Sequence, residues 1–420
     1  MPRQLPSKTK GRLFYGWIVV GTSLIIFALI FGTRYCFGVF FKSIGNEFGL
    51  TRTATSIIFS IYMMLCPVFA IAAGWVLDRY GPRAIVFSMG FFAGLSLLLT
   101  SQATSSWQLF VTYSVILAIG TGPTYSVLMS TTSRWFEKKR GLALGITGSG
   151  GGLGTIVLAP FAAYLIAKFD WRTAYIVLGL IVGLGIIPLS VLLRKDPAEI
   201  GMLPDGVNIP AGNQVVMNGE GTSDTGSLTL AQAFGTRNFW FLGIVWLSFS
   251  LCLHLVLTHI VPYGTDVGIS ATEAAVVLGL IGSISIPGRL VIGGVSDRIG
   301  RKASAVICAM LQIGAMIWLT WARELWMFYL FAIVYGFAFG GFDILVTALI
   351  GDIFGLHNLG AIMGMLVVGW GIGAAFGPAV GGLIFDVFEN YLMAFIIGAL
   401  AMMVAASFIA LTKKEVAKSV

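Results

Sequence analysis

The chain has 420 residues, of which 57% are hydrophobic and 10% charged, with a mean hydropathy of +0.92 and a formal net charge of +8. Soluble domains carry about 25% charged residues, so a soluble globular protein is excluded. The positive balance requires no nucleic acid, because basic loops beside a bilayer meet anionic lipid headgroups.

Met1–Arg12 is basic and polar, and the apolar run after it is too long for the core of a signal peptide. Runs of membrane-spanning length fall near 15–41, 53–77, 84–102, 108–131, 141–167, 173–193, 238–262, 273–296, 303–322, 326–349, 360–385 and 391–412. The expected fold is therefore an all-α membrane protein of twelve transmembrane helices. A cytoplasmic tail (1–14) leads into a six-helix bundle (15–193), a cytoplasmic linker (194–237), a second six-helix bundle (238–412) and a short tail (413–420). The linker is rich in Gly, Pro, Asn, Ser and Thr, with a short amphipathic helix expected near Leu228–Phe234. With both termini inside, cytoplasmic segments hold nineteen of the 26 Lys and Arg, outer loops hold five, and Arg34 and Arg289 lie within helices. That bias places the N-terminus in the cytoplasm. Cys36, Cys66, Cys252 and Cys308 all fall in apolar runs and read as packing residues rather than disulfides.

An internal repeat is offset by 219 residues. Gly74-Trp-Val-Leu-Asp78-Arg79-Tyr-Gly81-Pro-Arg83 returns as Gly293-Gly-Val-Ser-Asp297-Arg298-Ile-Gly300-Arg-Lys302. Gly49-Leu-Thr-Arg-Thr53 matches Gly268-Ile-Ser-Ala-Thr272, and Gly141, Gly145, Gly150, Gly152 and Gly154 match Gly360, Gly364, Gly369, Gly371 and Gly373. Two parallel six-helix repeats are the layout of a major facilitator. The loops bearing Asp78, Arg79 and Arg83, and Asp297, Arg298 and Lys302, resemble the signature of that superfamily. Physically, each sets a helix-end aspartate against basic residues across a glycine turn, a conformational latch at the inner face.

Arg289 lies deep in an apolar stretch, just after Pro287 and Gly288. It is about 12 Å of helix from the polar edge at Asp297, farther than an arginine stem reaches. A guanidinium keeps its proton, so an anion is the expected partner. Asp343, after Gly340-Gly341, is placed at similar depth as a counter-ion and proton carrier. His259 and His254 are proton-coupling candidates because histidine titrates near neutrality; His259 is also a substrate candidate near the outer mouth. Tyr35, Tyr125 and Tyr335 are candidates to donate a hydroxyl to a carboxylate. Arg34 is expected near the outer end of the first helix, where it attracts anions or reaches the headgroups. Gly148-Ser-Gly-Gly-Gly-Leu-Gly154 lacks the lysine and preceding strand of a phosphate loop, and reads as a close-packing stripe. No metal-ligand cluster, cofactor motif or nucleophile–base constellation is evident, so an enzyme is not expected.

Phe14-Tyr15-Gly16-Trp17 and Arg134-Trp-Phe-Glu-Lys-Lys-Arg140-Gly-Leu-Ala143 resemble signatures of the monocarboxylate transporter family. Arg194-Lys-Asp-Pro-Ala-Glu-Ile-Gly-Met-Leu-Pro-Asp205 is similar to prokaryotic relatives, including oxalate/formate antiporters. The resemblance implies that Arg289 is the family's substrate-binding arginine of helix eight. The chain departs from the animal members at Ser285, where they carry aspartate, and at Tyr35, the gap-free counterpart of their helix-one lysine. It departs from the antiporters over Ala361–Phe385, which holds none of their helix-eleven lysine. One buried cation balances one carboxylate. The implied activity is proton-coupled symport of a small monocarboxylate, lactate- or pyruvate-like, by a monomer in a bacterial inner membrane. A carboxylate exchanger of the oxalate/formate type is the alternative, followed by a transporter-like sensor.

Overall fold

The computed structural model describes residues 14–136, 139–206, 230–354 and 359–412. Among these residues, twelve helices are long and apolar enough to cross a membrane. We number them α1 (Tyr15–Phe48), α2 (Arg52–Tyr80), α3 (Pro82–Ser101), α4 (Ser106–Trp135), α5 (Arg140–Lys168), α6 (Trp171–Ser190), α7 (Arg237–Asp266), α8 (Ala271–Ile299), α9 (Arg301–Leu319), α10 (Leu325–Phe354), α11 (Leu359–Phe388) and α12 (Leu392–Leu411). Several outrun the apolar segments seen in the sequence. The first run fades near residue 41, yet α1 bends at Cys36 and continues through Phe37–Phe48. Hydropathy registers the part of a helix that suits hydrocarbon, whereas the backbone stays helical into the polar layer. A five-residue helix, Leu230–Phe234, lies where the linker helix was expected.

Repeated sequence makes repeated local structure. The Thr51 side chain caps α2 by accepting from Ala54 N, and Ser270, 219 residues later, caps α8 through Glu273 N. A Cβ on Gly150 of α5 would stand 2.5 Å from Leu24 O of α1, and one on Gly369 of α11 would stand 2.7 Å from Gly243 O of α7. Between them, Gly152 faces Ile286 of α8, and Gly371 faces Pro67 of α2, each at 3.2 Å. One glycine face thus holds each half together, while the next packs the halves against each other.

The two halves separate along these same faces. Gly145 and Gly364 lie seven residues, about two turns, before Gly152 and Gly371, and Gly293 lies eleven, about three turns, after Gly282. Among the described residues nothing stands within 4 Å of a Cβ built on Gly145, Gly293 or Gly364, whereas Gly152 abuts Gly282. The helices therefore splay toward the face that carries Phe14 and Thr412, here the terminal face, and converge at the opposite, distal face.

Candidate functional site

Arg289 and Asp343 meet at the wall of the resulting cavity. A Cβ on Gly336 of α10 would stand 2.7 Å from Ile281 O of α8; Gly340 abuts Ser285 O, and Gly288 abuts Phe337 O. These small residues bring the two backbones close enough for the side chains to reach each other. Arg289 Nη2 donates to Asp343 Oδ2 at 3.3 Å, with the side chains 28% and 32% exposed. α8 stays helical through Pro287, so Gly288 serves the approach of α10 rather than a break. The pair is joined by one hydrogen bond, and the buried Arg289 Nε has no partner. Asp343 thus does not exhaust the donors of the guanidinium, and Nε, shielded from the cavity, is left unsatisfied until the side chain shifts toward another acceptor.

Tyr35 lies near Arg34, Arg289 and Asp343, and Tyr125 lies near Arg289 and Asp343. Tyr125 is 61% exposed although it is in the middle of α4, as expected for a residue facing an open cavity. Phe339 stands 5.8 Å from the Arg289 guanidinium carbon. The other candidates are elsewhere. Tyr335 is fully buried inside the second half, stacked on Phe331 and bonded to Cys252 Sγ at 3.5 Å, so its hydroxyl is spent within the bundle. His254 is buried with Nδ1 2.9 Å from Ser250 O and its ring 4.9 Å from Trp370; its Nε2 has no partner among the described residues.

Arg34 departs from its expected position at the outer end of α1. Because α1 extends to Phe48, Arg34 lies within the span and is 5% exposed. Its Nε donates to Tyr62 Oη at 2.8 Å and its Nη2 to Thr121 O at 3.3 Å, with Phe31 4.6 Å from the guanidinium. No carboxylate is paired with it among the described residues. The charge count that rested on Arg289 alone must therefore include a second buried cation.

His259 belongs to a contact that closes the distal face. Asp266, at the end of α7, receives Arg52 at 2.7 and 2.9 Å and Lys42 at 2.6 Å, both from the first half. Asp386 of α11 accepts Arg52 N at 2.9 Å and Thr53 N at 2.8 Å, capping α2 from across the interface. The Arg52 guanidinium covers the Phe385 ring at 3.5 Å and bonds Tyr391 Oη, which in turn lies 3.1 Å from His259 Nδ1. Sequence reasoning missed this network. Its trace was an acid at the end of one apolar run, Asp266, opposite bases in another outer loop, Lys42 and Arg52.

At the terminal face, Arg83 Nε donates to Leu193 O at 2.7 Å and Lys302 Nζ to Thr412 O at 2.8 Å. These are the same bond in the two repeats, and each lies inside its own half. Arg298 is exposed; the side chains of Asp78, Arg79 and Asp297 lie outside the described residues.

A family model of the Major Facilitator Superfamily matches residues 23–323 and 289–419. The chain belongs to the Major Facilitator Superfamily. This major facilitator is 25% identical over 419 residues to monocarboxylate transporter 12 of Xenopus laevis, covering 95% of this chain and 89% of that protein. It is 24% identical over 415 residues to monocarboxylate transporter 13 of Bos taurus, covering 95% and 89%. Its fold matches an inward-facing, unoccupied bacterial homolog of the human lysosomal transporter Spinster, with TM-score 0.75, 16% identity and coverage of 95% and 97%. The expected all-helical facilitator architecture is the observed one, and the activity of its relatives is transport rather than catalysis.

Proposed function

We propose that this facilitator is a proton-coupled symporter of a small monocarboxylate, of the lactate or pyruvate kind, working by alternating access. The observation that carries the reading is the Arg289–Asp343 pair on the cavity wall, held by one hydrogen bond with both side chains part-exposed. An incoming carboxylate takes Arg289, and Asp343, released from the guanidinium, takes a proton. The two events are linked because each favours the other. Tyr35 and Tyr125 stand beside the pair to receive the rest of the anion. Counting Arg34, Arg289 and Asp343, the empty cavity carries one net positive charge. It carries the same charge once an anion and a proton have entered, so loaded and empty carriers cross the same electrostatic barrier. Relatives named as monocarboxylate transporters support the cargo class.

The distribution of Lys and Arg supports cytoplasmic termini. We read the terminal face accordingly as the cytoplasmic one, in a bacterial inner membrane, with a monomer as the working unit and no cofactor. The exchanger reading gains from Arg34, since two buried cations can hold a dianion such as oxalate once Asp343 is neutral. The deciding experiment is uptake of radiolabelled L-lactate into proteoliposomes, with and without an inward proton gradient, for wild type and Arg289→Gln. Gradient-driven uptake that is lost in the variant is the expected result. Oxalate exchange with no lactate uptake overturns symport in favour of the exchanger.

A further inference from the structure

We propose that His259 is a proton-binding site that must be empty for the distal face to close, so that protons on that side hold the carrier open there. The inference rests on alternating access alone and not on the cargo or on Asp343.

His259 Nε2 lies 2.8 Å from Pro378 O, a carbonyl that can only accept, so Nε2 carries the ring's proton. Nδ1 is then an acceptor, and its neighbour at 3.1 Å is Tyr391 Oη. Arg52 already donates to that phenol oxygen, which leaves the phenol hydrogen to point at Nδ1. Every hydrogen in the chain Arg52–Tyr391–His259–Pro378 therefore has one place, and the order is complete only with a neutral imidazole. The ring is fully buried, and Gly381 leaves room for it, because a Cβ there would strike the imidazole.

A second ring proton has nowhere to go. On Nδ1 it would face Tyr391 Oη, already receiving Arg52, and would displace the phenol hydrogen. The charged groups around the ring offer no relief. From the first half, Arg52 and Lys42 are cations; from α11, Asp386 is spent on Arg52 N and Thr53 N; on α7 itself, Asp266 is spent on Arg52 and Lys42. Tyr263, the remaining nearby phenol, donates to Leu319 O and Ala322 O and receives Arg323. Arg52 and Lys42 already balance Asp266 and Asp386, and Arg323 is a further cation, so an imidazolium would be an unmatched buried cation beside Arg52.

The contact also joins the halves. Ser56 of α2 lies 3.4 Å from His259 Nε2, and Arg52 O lies 2.6 Å from the Cβ position of Gly382. Opening the distal face withdraws Arg52 and Ser56 and admits water to the ring, which can then hold a proton. By linkage, the state that binds the proton is favoured as pH falls. Acid on the distal side thus raises the fraction of carriers ready to load from that side.

The test is a distance measurement between spin labels on Thr104→Cys and Glu324→Cys, exposed distal-face sites in opposite halves, with the four native cysteines replaced by alanine. In nanodiscs, lowering pH from about 8 to about 5 spans the ordinary histidine range. The ratio of long to short distances is expected to rise, by at most about tenfold per pH unit for one proton. His259→Gln can still donate to Pro378 O and accept from Tyr391 but gains no charge, so its distances should stay short and flat with pH. Tyr391→Phe removes the donor to Nδ1, and should raise the open fraction at alkaline pH while shrinking the response. A wild-type profile in either variant overturns the proposal. So does loss of the response in Asp343→Asn with its retention in His259→Gln, a result that leaves the symport reading intact. The readout contains no cargo, so it stands or falls apart from the lactate assay.

Discussion

Arg289 of α8 and Asp343 of α10 form a one-bond ion pair at 3.3 Å, with Arg289 Nε left without a partner. A structural salt bridge would use the guanidinium fork on both carboxylate oxygens. Here the carboxylate takes one corner, and the buried Nε is left unsatisfied. Both side chains are about a third exposed, so the pair is stabilised less than a dry one and is more readily exchanged for another anion.

Asp343→Asn separates the two halves of the proposed cycle. Asparagine keeps the volume and can accept one bond from Arg289, but it cannot take up a proton in exchange for the cargo. Proton-driven accumulation of lactate should fall to the equilibrium level, while counterflow of labelled against unlabelled lactate continues within a few-fold of wild type. Unchanged accumulation would remove Asp343 from proton coupling.

Arg34→Gln should lower anion affinity without lowering stability. Arg34 is buried against Tyr62, Thr121 and Phe31, all neutral, so its charge is unmatched in the resting protein. Removing an unpaired buried charge relieves a desolvation cost. A thermal midpoint equal to or above that of wild type is expected, together with a KM for carboxylate raised about tenfold, which corresponds to about 1.4 kcal/mol of lost attraction. A fall in stability with unchanged KM would make Arg34 a packing residue.

Why some of this could be read from sequence and some could not follows from the range of each interaction. The spans depend on local hydropathy, and the repeat on an offset visible in the letters, so twelve helices in two halves were legible. Arg289 and Asp343 were legible as a pair because each is an isolated charge in an apolar run at similar depth. Arg34 was misplaced because the depth of a residue depends on where its helix ends, and α1 continues past its apolar run to Phe48. Tyr335 looked like Tyr35 or Tyr125 in sequence, since the direction of a side chain around a helix is fixed only by the neighbour it packs on, here Phe331 and Cys252. The distal network draws on four separate segments, and its hydrogen bonds leave no local pattern.

Gly340→Ala should damage the site from a distance of one helix turn. A Cβ there would collide with Ser285 O, and backbone cannot move aside as a flexible side chain does. Overpacking of this kind costs about 1–3 kcal/mol. If α10 shifts outward to relieve it, Asp343 moves off Arg289. The expected result is a lower thermal midpoint together with lower accumulation of lactate. Ser283→Ala is the control, since Ser283 bonds its own helix at Leu280 O, and it should leave both readouts near wild type.

Asp266→Asn should bias the carrier toward the distal-open state. Asp266 is the acid that gathers Lys42 and Arg52 from the other half, at 2.6 and 2.7 Å. Asparagine preserves the shape but leaves the two cations facing each other without a countercharge. The carboxylate is 26% exposed and Lys42 35%, so solvent screens much of the attraction. A loss of about 1 kcal/mol is the appropriate scale for such a pair, or about a fivefold fall in the ratio of distal-closed to distal-open carriers. Gly145→Cys reports that ratio, because the position is open in the distal-closed state and lies on the α5 face that meets α8. Its labelling by an impermeant maleimide from the terminal face follows the distal-closed fraction and should slow, by at most that factor, and added salt should slow wild type in the same direction by screening the network. Glu47→Gln supplies the contrast. It breaks the 3.1 Å pair with Arg172, which joins α1 to α6 inside one half and should leave the labelling rate unchanged.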